Sequence, residues 1–394
     1  MGENLVSVAE LNAEHRVGQR FEHGSFDLDD SVFLGHTLFV TSFDRRSCGW
    51  DVSAIAREYA GAEHQGSSLR HARAFRQAGC TLPRPPRSAR ARRRRLVQTG
   101  GVDAQPPTSP DDGVVRLERR TLHHGGRERP LLVARPPSPL VGGPLLLVLH
   151  GSNGTGATVR RAAGRDFDTL ARDAGAAVIY PTGFRRHWND ARVRLPFAAR
   201  REEVDDVGFL RAIVAASVHA DGIDPERVVA AGFSNGGAMV NRLAHEAPEL
   251  LAGAVMIGAT QPAPGNVIPL PPPGPAVPLM LVHGTRDATV PYEGGESSVF
   301  GLNSRGPGLS APQTLLYWAA RNGLDAARAV AEVVARDDAG APAVERLAVD
   351  DELGRVALYS VIGGGHTIPS SAHPVGGGFT VVGAMTADLA ALRG

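Results

Sequence analysis

The 394-residue sequence contains no lysine, so all 42 of its basic residues are arginine, while glycine (47) and proline (29) are abundant. This bias points to GC-rich coding and makes arginine density a poor guide to function. Cysteine is scarce as well. Cys48 and Cys80 cannot build a disulfide framework, and neither sits in a spacing suited to zinc; a single bridge between them stays open. No apolar run approaches the ~18 residues that a membrane span requires, since the best, Leu145 to Leu149 and Val277 to Val282, are strand-sized. Net charge is missing too: 42 basic against 41 acidic side chains leave +1, no global field for a polyanion or an anionic membrane. The first thirty residues carry acids throughout and no apolar signal segment. These absences predict a soluble protein, cytoplasmic as the chain reads and secreted if its start is misassigned, with no nucleic-acid or membrane partner and no assigned oligomeric state.

What is present has globular proportions, 42% hydrophobic and 21% charged, on a length that allows roughly two domains. The character of the chain changes near residue 110. Residues 1–113 show weak periodicity and end in Arg84 to Arg95, with seven arginines and two prolines, and then Gln98 to Asp112, rich in Gly, Pro, Thr and Asp. They read as a poorly ordered N-terminal extension and linker of unknown function, the arginine tract being solvated chain rather than a nucleic-acid patch. Charge does not separate the two parts, with 15 basic and 14 acidic residues before residue 114 and 27 of each after it.

Residues 114–394 have the regularity of a catalytic domain. Val115 to Thr121 and Pro130 to Ala134 predict two strands turning at Gly125 and Gly126. Leu145 to Leu149, Ala176 to Tyr180, Val228 to Ala231, Ala254 to Ile257, Pro278 to Val282 and Val356 to Val361 are apolar runs of the kind found in strands covered on both faces. Between them, Phe167 to Ala174, Val207 to Ala216, Ala238 to Ala247 and Thr314 to Asn322 have helical spacing. The alternation predicts an α/β class, a doubly wound and mostly parallel sheet. Pro262 to Pro278 is expected to be an irregular loop between two strands.

Reactive groups in such a sheet gather beyond the carboxyl ends of its strands. There the chain reads Gly232-Phe233-Ser234-Asn235-Gly236-Gly237, a G-x-S-x-G sequence in the context it needs, strand before and helix after. Ser234 is the expected nucleophile, and its hydroxyl requires a base. His366, in the glycine loop after Val356 to Val361, is the expected base, ahead of His373. Asp287, in the exit loop of Pro278 to Val282, is the expected orienting acid, ahead of Glu293 and Glu296. Arg286 reads as a surface residue. His150-Gly151-Ser152-Asn153-Gly154 follows another strand, so the N–H groups of Ser152, or alternatively Asn153, and of Asn235 are the expected oxyanion donors. Asp205 and Asp206 read as helix N-capping acids rather than a metal pair. No metal or organic cofactor is expected.

Taken together, His150-Gly151, Tyr180-Pro181, Trp188, Asp205 to Leu210, Gly232 to Gly237, His283-Gly284-Thr285 with Asp287, and Gly363 to Thr367 resemble the α/β-hydrolase serine esterases grouped with polyhydroxybutyrate depolymerases and feruloyl esterases. The resemblance covers roughly residues 114–394 and departs after His366, where Thr367-Ile368-Pro369-Ser370 stands in place of Thr-Trp-Pro-Gly. It implies an α/β-hydrolase fold, Ser234, His366 and Asp287 as triad, a small-molecule or polymeric ester as substrate, and an acyl-enzyme intermediate. Trp188 reads as substrate-binding or plain core. A peptidase or amidase on the same fold, and a non-catalytic protein binding through its arginine-rich arm, are the alternative expectations.

Overall fold

The computed structural model describes residues 115–392, apart from 137–140, 299–303 and 353, and the backbone of two short strands, Ser31–Leu34 and Thr37–Val40, which pair antiparallel. The boundary expected at residues 113 and 114, the poorly ordered extension, the arginine tract and both cysteines lie outside the described residues.

In chain order the main strands are β1 (Arg116–His124), β2 (Arg127–Arg135), β3 (Leu145–Leu149), β4 (Ala177–Pro181), β5 (Val228–Phe233), β6 (Gly253–Ile257), β7 (Leu279–Gly284), β8 (Val330–Arg336), β9 (Pro342–Asp351) and β10 (Gly354–Val361). They form one sheet ordered β8-β9-β10-β7-β6-β5-β3-β4-β2-β1. The six central strands, β10 to β4 in that order, are parallel. An antiparallel pair flanks them at each end. Every residue of β3 is buried, which is why its sequence is an unbroken apolar run rather than an alternation.

The helices are α1 (Gly156–Ala162), α2 (Asp168–Asp173), α3 (Ala198–Arg201), α4 (Asp206–Asp221), α5 (Asn235–Glu246), α6 (Ala311–Arg321) and α7 (Val381–Asp388). Side chains alternate across a strand, so β3 feeds two cores. Leu145, Leu147 and Leu149 pack with Phe209 and Ile213 of α4, Met239 of α5 and Trp318 of α6. Leu146 and Val148 pack with Val159 of α1, Leu170 of α2 and Met385 of α7. Helices therefore cover both faces, the doubly wound arrangement expected from the alternation, and burial of each such Leu or Ile contributes about 1.5–3 kcal/mol.

The hairpin β1–β2 turns on Gly125 and Gly126, with φ of 56° and 70°, the pair of left-handed residues that a two-residue turn needs. Residues 262–278 join β6 to β7 without a helix or strand of their own, as the proline spacing predicts. Strands β8 and β9 were not expected. The outermost, β8, is exposed along most of its length, and its pairing with β9 slips at Val333/Ala335 and again at Ala335/Arg336.

Candidate active site

Four loops meet at the carboxyl edge of the parallel strands. The first is the turn from β5 into α5. Ser234 has φ 56° and ψ −117°, a conformation that costs a non-glycine residue about 1–3 kcal/mol and persists only where its surroundings impose it. They do so on several sides. The Ser234 amide donates to the Ile257 carbonyl of β6 at 2.8 Å, and its carbonyl accepts from Ala238 at 2.9 Å. A Cβ on Gly232 would lie 2.3 Å from the Gly236 backbone, and one on Gly236 would lie 2.3 Å from the Leu149 oxygen. Only glycines let the strand, turn and helix approach so closely. Ser234 itself is 8% exposed and borders a small cavity whose walls include Arg192, Thr260, Val290 and Gly308.

The second and third loops follow β10 and β7. Nδ1 of His366 lies 2.6 Å from Oδ2 of Asp287. The other carboxylate oxygen of Asp287 accepts from the amides of Thr289 at 2.8 Å and Val290 at 2.9 Å. Burial works to raise the Asp287 pKa, but the His366 hydrogen bond and charge, with the Val290 amide, outweigh it and leave the carboxyl below its ordinary range. Asp287 is thus an anion fixed at both oxygens. The His366 ring packs on Phe233, the residue before Ser234, with centroids 4.8 Å apart. It also closes on Gly258, where a Cβ would meet its Cε1 and Nδ1 at 3.1 Å. The imidazole therefore stands beside the turn that carries Ser234. His373 instead pairs its backbone with Ser370 further along the loop, and Glu293 and Glu296 are exposed. Arg286 is exposed as expected.

The fourth loop, after β3, is built on a buried histidine. Nε2 of His150 accepts from the Gly183 amide at 2.9 Å, which leaves Nδ1 to carry the proton and donate to the Gly151 carbonyl at 2.7 Å. Burial, and then the nearby His187, Arg186 and Arg129 charges, push its pKa down to about 4 against the Gly151 hydrogen bond. At neutral pH it is an uncharged strut. The loop it supports carries Ser152, whose buried hydroxyl has no partner among the described residues, and Asn153 at φ 59°.

Trp188 departs from its expected substrate-binding role. It has no exposed surface, its ring lies 5.1 Å from that of His150, and its indole N–H donates to the His150 carbonyl at 2.9 Å. It is core, the other expectation held for it. The side chain of Asn235 continues the same framework: its oxygen accepts from the Trp188 amide at 2.9 Å, and its nitrogen donates to the Trp188 carbonyl at 3.1 Å and to Asp190 at 2.7 Å. That side chain is fully engaged, and the Asn235 amide sits in the first turn of α5, where backbone N–H groups have no partner within the helix.

The two acids before α4 divide their tasks. Asp205 caps the helix by accepting from the Gly208 amide at 2.8 Å, as expected. Asp206 does not cap. It is wholly buried, paired with Arg129 at 2.7 Å and accepting from the Asn189 amide at 2.7 Å. The Arg129 guanidinium lies over the Phe209 ring at 3.9 Å. Sequence reasoning did not find Arg129, Asp190, Arg192 or Arg305, all buried near this edge. In a chain whose basic residues are all arginine, nothing local distinguishes them. Among the described residues no group of three or more His, Cys, Asp or Glu side chains converges as metal ligands do.

Comparison with known proteins gives several matches. A family model described as Phospholipase/Carboxylesterase matches residues 183–304, a stretch that includes Ser234 and Asp287. The chain is 31% identical over 251 residues to "Putative esterase NocK" of Nocardia uniformis subsp. tsuyamanensis, covering 62% of this chain and 71% of that protein. Among solved structures, an acetyl xylan esterase from Aspergillus awamori is 18% identical at a TM-score of 0.49, covering 65% of this chain and 96% of that one. The S-formylglutathione hydrolase of Staphylococcus aureus is 17% identical at 0.35, covering 45% and 80%.

Proposed function

The chain belongs to the α/β-hydrolase esterases, and we propose that it is a serine carboxylic-ester hydrolase with Ser234 as nucleophile, His366 as base and Asp287 as the acid that orients it. The observation that carries this reading is the 2.6 Å contact between His366 Nδ1 and the ionised Asp287, made by an imidazole that packs on Phe233 beside the strained Ser234. With its proton held at Nδ1 by the carboxylate, the imidazole keeps a lone pair at Nε2. That nitrogen takes the Ser234 proton as Oγ bonds to the ester carbonyl carbon. Negative charge then develops on the carbonyl oxygen, and the amides of Asn235 and Ser152 are the donors for it. Collapse breaks the bond to the alkoxy group, which leaves as the alcohol with the proton from Nε2. Water repeats the sequence on the acyl-serine, giving its proton to Nε2 and releasing the acid and Ser234.

Within the esterases, the finer likeness to polyhydroxybutyrate depolymerases and feruloyl esterases rests on the motifs from His150 to Thr367. Expected substrates are therefore small or polymeric esters. The test is a panel of p-nitrophenyl and feruloyl esters given to wild type and Ser234→Ala. The variant is expected to lose at least about 10³-fold in kcat. Unchanged hydrolysis would remove Ser234 from the reaction, and amide turnover exceeding ester turnover would move the chain to the amidases.

A further inference from the structure

The cavity beside Ser234 is a narrow slot of about 10 Å³, room for roughly one water molecule or one methyl group. Which part of an ester it can hold follows from what does not line it. Attack by Ser234 leaves three other substituents on the carbonyl carbon: the oxyanion, the alkoxy oxygen and the acyl chain. The oxyanion belongs with the amides of Ser152 and Asn235, and the alkoxy oxygen has to reach Nε2 of His366 to take its proton. Among the described residues the slot is lined by neither His366, nor Asn235, nor any part of the loop His150 to Gly154. The acyl chain is the substituent left for it.

The walls are tied down on several sides. Val290 is 6% exposed; its amide donates to Asp287 at 2.9 Å and its carbonyl accepts from Nε2 of His283 at 2.8 Å, so its backbone is fixed from both ends. Gly308 is bracketed by two bonds, from the Ala263 amide to the Pro307 carbonyl at 3.0 Å and from the Leu309 amide to the Gln261 carbonyl at 2.8 Å. The Thr260 hydroxyl closes over it, since a Cβ on Gly308 would lie 2.6 Å away. Ser297 donates its amide to the Gly306 carbonyl at 3.1 Å, and Arg192 is held by Asp190. A longer chain would have to shift backbone to enter, and overpacking of that kind is resisted.

We propose that this slot receives the acyl chain of the ester and that Val290, in its wall, limits that chain to about two or three carbons. Acetyl and propionyl esters of small or polymeric alcohols are then the substrates, and esters of feruloyl or longer acyl groups are excluded. The proposal rests on the reading of Ser234 as nucleophile, and the experiment separates the two. The probes are p-nitrophenyl acetate, propionate, butyrate and hexanoate, given to wild type, Val290→Ala and Ser234→Ala. Wild type is expected to favour acetate over butyrate by about tenfold or more in kcat/KM, and over hexanoate by about a hundredfold, as methylenes that do not fit a pocket allow. Val290→Ala takes two methyl groups from the wall and keeps both backbone hydrogen bonds, so the acetate-to-butyrate ratio should fall to about three or below. Where Val290→Ala does not fold, Val290→Ile stands in: its added methyl should cut propionate against acetate by about tenfold. Methyl, butyl and hexyl acetate vary the alcohol instead, and wild type should turn them over within about fivefold of one another. Ser234-dependent turnover with a flat acyl series, or with the steep response on the alcohol side, overturns the acyl slot and leaves the esterase reading intact. A steep acyl series that the Val290 variant leaves unchanged also overturns it. Turnover that persists in Ser234→Ala removes the esterase reading, and this proposal with it.

Discussion

The indole N–H of Trp188 donates to the His150 carbonyl at 2.9 Å, a bond that fixes the loop carrying Ser152 from a residue 38 positions further along the chain. Asn235, next to Ser234, is tied to the backbone of the same tryptophan at both ends of its side chain. The two groups expected to face a developing oxyanion are therefore held by one buried scaffold. Trp188→Phe keeps most of the bulk and deletes the N–H, leaving a buried carbonyl unpaired. The expected result is a loss of about 1–3 kcal/mol in stability and a fall in kcat larger than any change in KM. Ester kinetics and urea unfolding measure both, and a KM effect alone would return Trp188 to the substrate pocket.

For Asp287→Asn, the expected outcome is a fold that survives and a kcat lower by roughly 10³–10⁴-fold, because an amide can hold the imidazole in the wrong tautomer and cannot stabilise its charged form. Thermal melting and single-turnover kinetics test this. Activity within about tenfold of wild type would mean that the 2.6 Å contact to His366 has no part in the reaction.

Gly236→Ala drives a methyl group to 2.3 Å from the Leu149 oxygen and 2.7 Å from the His150 oxygen, both backbone atoms that cannot swing aside. A loss of about 2–3 kcal/mol is expected, or roughly 5–10 °C in Tm. Gly365→Ala is the comparison: a Cβ there meets nothing within 4 Å and its φ is not in the left-handed region, so its Tm should stay close to wild type. Equal melting temperatures for the two variants would contradict the close approach of α5 to the end of β3.

Acid should weaken the fold through His150. Its folded pKa of about 4 lies below the ordinary 6.5, so between these values the unfolded chain binds a proton that the folded one refuses. Stability then falls as pH drops from 6.5 towards 4, by up to about 3 kcal/mol from this group, and above 6.5 the effect is absent. His245, held down to about 3 by burial and then by the Arg321 charge, acts in the same direction. Urea titrations at pH 7.5, 5.5 and 4.5 should show a shallower pH slope in His150→Gln than in wild type. Parallel slopes would place His150 in an ordinary, protonatable environment.

The buried Arg129–Asp206 pair makes a fifth test. Arg129→Ala leaves a carboxylate without its partner at a site with no solvent, and about 3–5 kcal/mol should be lost. Chemical denaturation reads it directly; a change below about 1 kcal/mol would mean that water reaches Asp206.

How much of this was readable beforehand follows from what makes each element form. The six parallel strands were legible because burial on both faces demands unbroken apolar runs such as Leu145 to Leu149. The outer strands β8 and β9 were not. Val330 to Arg336 is exposed at six of seven positions and shows no alternation, while β9 carries Glu345 and Arg346 in succession. Helix α5 begins at Asn235, three residues before its expected start, because Asn235-Gly236-Gly237 are poor helix formers whose conformation comes from the turn rather than from propensity. Ser234, Asp287 and His366 could be proposed from their positions after strands. The Asp190–Arg192 ion pair could not, since only its burial sets it apart from other neighbouring acids and arginines in an arginine-rich chain.

The double register slip in β8 bears on behaviour at high concentration. Val330, Val333 and Val334 give that outer strand exposed apolar side chains, an invitation for another chain to dock edge to edge. The slips bend the strand where a docking partner would need a straight template, so the valines are presented without a continuous row of backbone groups to match. An irregular backbone of this kind works against colloidal association, whereas a straight strand there would offer its greasy rim as a seed for aggregation.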